Sequence, residues 1–214
     1  MDGKIASFAW KPVAIDGTYA PDLAVSTMLA PYMARASASL MEVIGVAADT
    51  FVFGNRLTRY QETAIGNMIC DANVWYFRTV YNQNIDFAFH IGGFIRAQLP
   101  KGKLTRLEIL TVLPFENYLY IASLKGSEIY ELFCYIASIP QGSIAFPQFS
   151  KEVRYTLNVP NKVISNLTIG GTPIDPNKTY RFYTNDYLLG GGNGYTVLTK
   201  SRTYLTHHCF SPTW

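Results

Sequence analysis

Two arginines, two aromatic rings and a glycine-framed asparagine stand far apart in this chain yet share one chemical logic. Arg59 precedes a helical pattern, Arg96 follows "IGGFI", Phe115 follows a proline in "LPFEN", and "NDYLLGGGNGY" (185–195) carries Tyr187 and Asn193. A guanidinium is permanently charged and forks onto two oxygens. Paired arginines therefore suit a phosphate or carboxylate, with roughly 1.5–3 kcal/mol for each charge-assisted hydrogen bond. Two aromatic rings can hold a flat base between them, at about 1–3 kcal/mol per stacked base. The glycine run either closes a tight hairpin between core tyrosines or folds a loop that presents Tyr187 and Asn193 to a ligand.

Other chemistries lack their residues. Glycines 190, 191, 192 and 194 do not form a dinucleotide fingerprint, which needs a strand before, a helix after and a further strand–helix–strand unit. Neither a G-x-x-x-x-G-K-[ST] phosphate loop nor a G-x-S-x-G nucleophile turn occurs. His90, His207 and His208 have no carboxylate or cysteine at metal-ligand spacing, and the last two lie in a tail expected to be solvated. Cys70, Cys134 and Cys209 make no C-x-x-C pair and read as small buried hydrophobes or inert thiols. No catalytic residue and no metal ligand is assigned to this chain.

Composition narrows the partners. Of the 214 residues 49% are hydrophobic and 15% charged, so the chain folds around a sizeable core. A net charge of +3, from 18 basic and 15 acidic residues without a basic block, excludes a nucleic-acid or membrane surface as the expected partner.

The elements that must position the candidates read as follows. "KIASFAWKPVAI" alternates like a strand, and a first helix follows the turn "DGTYAPD", with Pro31 expected to kink or interrupt it. Ile65, Met68, Ile69, Ala72, Trp75 and Tyr76 line one face of a second helix. "IDFAFHI" reads as a buried strand running into a glycine turn, and "YLYIASL" as another strand. "GSEIYELFCYIASIP" reads as a helix with Ser127 as N-cap and Pro140 just past its end. "VRYTLNV", "VISNLTI" and "TYRFYTN" are strand-like, which makes the fold class α+β, a mixed sheet with packed helices.

The order of motifs resembles the C-terminal domain of the 5'-nucleotidase family, which includes UDP-sugar hydrolases and ecto-5'-nucleotidases. The matching stretches are "RYQETAIGNMICDA", "IGGFIRAQLPKGKLT", "LPFENYLYIASLKGSEIYELF", "FPQFS" and "NDYLLGGGNGY". The resemblance implies that residues 1–21 are the tail of a preceding metallophosphatase domain, 22–50 an inter-domain linker helix, and 51–214 the substrate-binding domain. It implies that Arg59 and Arg96 hold the phosphate and ribose side, that Phe115 and Tyr187 stack on the base, and that Asn193 accepts from the ribose hydroxyls. Ile91, Gly92 and Gly93 fall in the family's "NGG[GS]IR" segment; Ile91 replaces an asparagine and Asn193 an aspartate, while Lys151 replaces a glycine after "QFS".

By the same resemblance, two divalent metal ions belong to an N-terminal metallophosphatase domain of the parent polypeptide, and this chain alone is inactive. The implied ligand is a nucleotide or nucleoside and the implied location periplasmic or extracellular. A UDP-sugar hydrolase, a 2',3'-cyclic-nucleotide phosphodiesterase and a non-catalytic nucleoside-binding module stand as alternatives.

Overall fold

The apolar run Phe87–Ile91 (β2) is buried at every position, because its strand lies inside a sheet covered on both faces. The structure, a computed structural model, describes residues 4, 5 and 7–210, without the side chains of Asn55 and residues 204–210. It divides into two compact units, Met1–Met41 and Glu42–Trp214.

The first unit contains helix α1, Leu23–Leu40, capped by Asp22, whose carboxylate accepts from the Val25 N–H at 3.0 Å. The interruption that Pro31 could have caused does not occur: proline removes one ladder bond, and the helix continues on either side. No residue of it is buried. The strand expected in "KIASFAWKPVAI" is not formed. An alternating pattern becomes a strand only where a partner completes its ladder, and among the described residues none pairs with this segment.

In the second unit the expected linker helix over 22–50 has already ended, and Val43–Ala47 is a strand (β1) instead. The elements that follow are α2 (Ala64–Thr79), β2, β3 (Gly102–Thr105), α3 (Arg106–Val112), β4 (Tyr118–Lys125) and α4 (Gly126–Ser138). Then come β5 (Pro147–Phe149), β6 (Val153–Asn158), β7 (Val163–Ile169), β8 (Thr172–Pro173), β9 (Thr179–Asn185), α5 (Asp186–Leu189) and β10 (Arg202–Phe210). Strands β1 and β3 pair antiparallel, β6-β7-β8 form a three-stranded sheet, and the central sheet has the order β10-β4-β9-β2-β5. Within it β2 and β9 are parallel and the other neighbours antiparallel, so the α+β class with a mixed sheet is as expected.

Alternation along the strands divides the core. Phe87, Phe89, Ile91, Ala122, Leu124 and Phe182 pack with Ile129, Leu132, Phe133 and Ile136 of α4. Ala88, Leu119, Ile121 and Tyr183 pack with Cys70, Val74 and Phe77 of α2. Helix α4 starts two residues earlier than expected: Lys125 is the N-cap, its N–H held by Glu128 at 2.7 Å, and Ser127 lies inside the first turn. Cys70 is buried as expected but Cys134 is exposed, because it sits on the outer face of α4; the side chain of Cys209 lies outside the described residues.

Gln148 of β5 ties the segment before α2 to the sheet. It is almost fully buried, its Oε1 accepts from the Thr63 N–H and Oγ, and its Nε2 donates to the Thr58 and Gln61 carbonyls at 2.9 and 2.7 Å. All the amide's hydrogen-bonding capacity is spent on placing the turn that ends at Arg59.

Candidate functional site

Because β2 and β9 run parallel, their C-terminal ends emerge at one edge of the sheet. There β2 passes into the 3-10 turn Gly92–Phe94, and β9 into α5 with Tyr187 on its first turn. Strand β4 runs antiparallel to β9 with Leu119 opposite Asn185, which brings Phe115 and Asn117 to the same edge.

Phe94 joins the two candidate aromatics. The Phe115 ring stands nearly perpendicular to it at 5.1 Å between centroids, and the Tyr187 ring likewise at 5.6 Å. Both flanking rings keep open surface, 39% for Phe115 and 45% for Tyr187. Phe94 stands between Phe115 and Tyr187, and this slot of three rings keeps exposed surface on which a flat group could stack.

A cationic end adjoins the slot. The Arg96 guanidinium lies 5.7 Å over the Phe115 ring and donates to the Gly93 carbonyl at 3.1 Å. Arg59 closes the 3-10 turn Gly54–Arg59, is mostly buried, and its Nε has no hydrogen-bond partner. Burial, then the nearby charges of Arg56 and Arg96, push the Arg59 pKa below its ordinary value. Two like charges beside a mostly buried guanidinium favour an anion among the three.

The loop of Gly190–Tyr195 is organised by Tyr187 and Tyr135. Asn193 sits in the left-handed region (φ 52°), its Oδ1 accepts from the Tyr187 hydroxyl at 3.2 Å, and its carbonyl accepts from the Tyr135 hydroxyl. A Cβ at Gly192 would fall 2.3 Å from the Tyr187 ring, so glycine there lets the ring lie flat on the loop.

Ile91 stands apart from these residues: it is buried among Phe87 and Phe89 on the α4 side of the sheet. The N–H groups of Gly92 and Gly93 donate to the Phe146 and Ile144 carbonyls at 2.7 and 2.9 Å. Their contribution is close packing.

Four residues to which the sequence reading gave no site role also belong to this edge. Phe94 is the slot's middle ring, Arg56 adds a third cation, Asn117 donates to Asp186 at 3.1 Å beside Phe115, and His90 packs on Phe94 at 4.9 Å. Asn117 follows Phe115 by two positions in "PFEN", and both stand just ahead of β4 on the chamber wall. His90 carried no signal, since one histidine in an apolar strand looks like filler.

His90 is nearly buried, its Nδ1 accepts from the Ile91 N–H at 3.0 Å, and burial pulls its pKa down to about 4. Between pH 6.5 and 4 the unfolded chain binds a proton here that the folded chain does not, so stability falls as pH falls through that window. We expect a loss of about 3 kcal/mol over it, from about 1.4 kcal/mol per pKa unit. In His90→Gln, urea melts between pH 7 and 4 should show a flatter dependence; an unchanged slope would remove His90 as its source.

Residues 43–200 match the protein family described as 5'-nucleotidase, C-terminal domain. Protein UshA of Yersinia enterocolitica is 29% identical over 186 residues, covering 87% of this chain and 32% of that protein. The trifunctional nucleotide phosphoesterase protein YfkN of Bacillus subtilis is 35% identical over 152 residues, covering 67% of this chain and 10% of that protein. A solved structure of a 5'-nucleotidase precursor from Thermus thermophilus superposes with a TM-score of 0.72 at 28% identity, over 86% of this chain and 37% of that one. The chain spans about a third or less of the length of the curated relatives it matches.

Proposed function

The chain belongs to the family of 5'-nucleotidase C-terminal domains, and from that premise we propose that it is the substrate-binding domain of a phosphoric ester hydrolase acting on nucleotides. The observation that carries this reading is the Phe115–Phe94–Tyr187 slot with arginines at one end. The base stacks between Phe115 and Tyr187, the phosphate meets Arg59 with Arg56 and Arg96, and a ribose hydroxyl donates to the lone pair of Asn193 Oδ1 that Tyr187 leaves available.

Hydrolysis is assigned, on the family resemblance, to two divalent ions in a metallophosphatase domain of the same polypeptide, in the periplasm or outside the cell. The relatives' greater length supports such a partner domain. Among the described residues, no group of three or more His, Cys, Asp or Glu could hold a metal ion, and we assign the site's side chains a different part. Their work is to bind the ester, orient it and present its phosphate. Among the described residues no helix is long and apolar enough to cross a membrane.

Calorimetric titration with AMP tests the slot. Tyr187→Ala should weaken binding by about 1–3 kcal/mol, whereas Tyr187→Phe keeps the ring and should retain most of the affinity. Equal affinity in the wild type and Tyr187→Ala would sink the stacking role.

A further inference from the structure

Behind the slot lies a small chamber that the proposed base contacts do not use. It is lined by His90, Phe94, Phe115, Asn117 and Asn185 among others, so Phe94 and Phe115 are walls of both slot and chamber. It has room for about one water-sized group, which suits an exocyclic atom of a base and excludes the ring itself.

The hydrogen-bonding character of the chamber is set by the backbone around it. Asn185 is 2% exposed, and its Oδ1 caps α5 by accepting from the Leu188 N–H at 3.0 Å. That bond fixes which end of the amide is which, leaving Nδ2 as a buried donor with no partner. His90 accepts at Nδ1 from Ile91, which places the ring proton of the neutral imidazole on Nε2, a second donor. Asn117 lies nearer the surface, with its Nδ2 given to Asp186 and its Oδ1 left to accept.

One buried donor without an acceptor, Asn185 Nδ2, and the Nε2 proton of His90 on the same chamber wall favour a group with two lone pairs and no proton. We propose that the chamber receives the exocyclic oxygen of an oxo-substituted base, as in hypoxanthine, guanine or uracil, and discriminates against the 6-amino group of adenine. The proposal rests on the slot being the base site. A carbonyl oxygen accepts from both Asn185 Nδ2 and His90 Nε2, and the adjacent ring N–H of such a base can donate outward to Asn117 Oδ1. An amino group would set its own hydrogens against both donors and leave Asn185 Nδ2 buried and unpaired.

Inosine and adenosine 5'-monophosphates present an oxo group and an amino group at the same ring position, and their Kd values on the full 214-residue chain test the proposal. The wild type should bind inosine monophosphate about tenfold more tightly or better. Asn185→Asp keeps an oxygen to cap Leu188 but exchanges the donor for an acceptor, and should bring the ratio of the two Kd values to about one or invert it. Asn185→Ser also keeps a capping oxygen and removes the amide, and serves if the aspartate variant melts early beside Asp186. Equal binding of both nucleotides by the wild type would overturn the chamber's role and leave the slot standing. A preference that survives in a folded Asn185 variant would overturn it too. Binding of neither nucleotide would overturn the chamber and the base site together.

Discussion

Replacing Gly92 with alanine should destabilise the fold by about 4 kcal/mol or more, lowering Tm by roughly 10 °C. The added Cβ would lie 2.0 Å from the Thr58 carbonyl oxygen and 2.5 Å from its carbon, and both are backbone atoms. Neither side can retreat cheaply. The Thr58 hydroxyl donates to the Gly92 carbonyl at 3.1 Å, the Thr58 carbonyl accepts from Gln148, and the Arg59 carbonyl accepts from the Gly142 N–H at 2.8 Å. Relief of the clash must break a buried network or shift the turn that carries Arg59, so nucleotide affinity should fall with stability. Gly45→Ala serves as the control, because nothing lies within 4 Å of its added Cβ; it should be neutral or slightly stabilising. Denaturant melts of both variants check this, and a Gly92→Ala protein within about 1 kcal/mol of the wild type would refute the backbone contact.

Arg59→Met should cost about a hundredfold in AMP affinity, from the loss of one or two charge-assisted hydrogen bonds to the phosphate. The protein should remain as stable as the wild type. In the unliganded fold the Arg59 Nε is buried without a partner, and burial and the Arg56 and Arg96 charges all disfavour its charged form. Methionine keeps the aliphatic stem and removes the buried charge. Adenosine, which has no phosphate, should bind both proteins within about twofold. Calorimetry with the two ligands separates the outcomes: equal loss for AMP and adenosine would mean that the substitution damages the slot, and no loss for AMP would remove Arg59 from the phosphate site.

Local periodicity was readable where an element buries one face or both. The unbroken run of β2 and the strands β6, β7 and β9 appear in the sequence with nearly the observed bounds, while on α2 Ile65 and Ile69 are buried as read but Trp75 is exposed and Cys70, Val74 and Phe77 take the core positions. It misled where burial depends on a partner strand, as in "KIASFAWKPVAI", and where a side chain two residues inside a helix resembles its cap, as with Ser127. The tail with His207 and His208 forms an edge strand beside β4, a pairing that no local pattern announces.

Residue chemistry was legible for Arg59, Arg96, Phe115, Tyr187 and Asn193, since charge and ring type are properties of single side chains. Their gathering was not. It comes from the parallel pairing of β2 and β9 and the antiparallel β4, which deliver three chain-distant loops to one sheet edge. Phe94 could not be told from a core phenylalanine, His90 from filler or Asn185 from a satisfied polar residue until their surroundings and the unpaired Asn185 Nδ2 were known. The amino-acid order alone thus determined which groups could bind and which segments would be regular, because those follow from local chemistry and period. Only tertiary structure decided that Ile91 faces the core, that burial and the charges of Arg56 and Arg96 disfavour the charge of Arg59, and that a donor-lined chamber lies under the slot. Each depends on distances between segments, and distance is what folding adds.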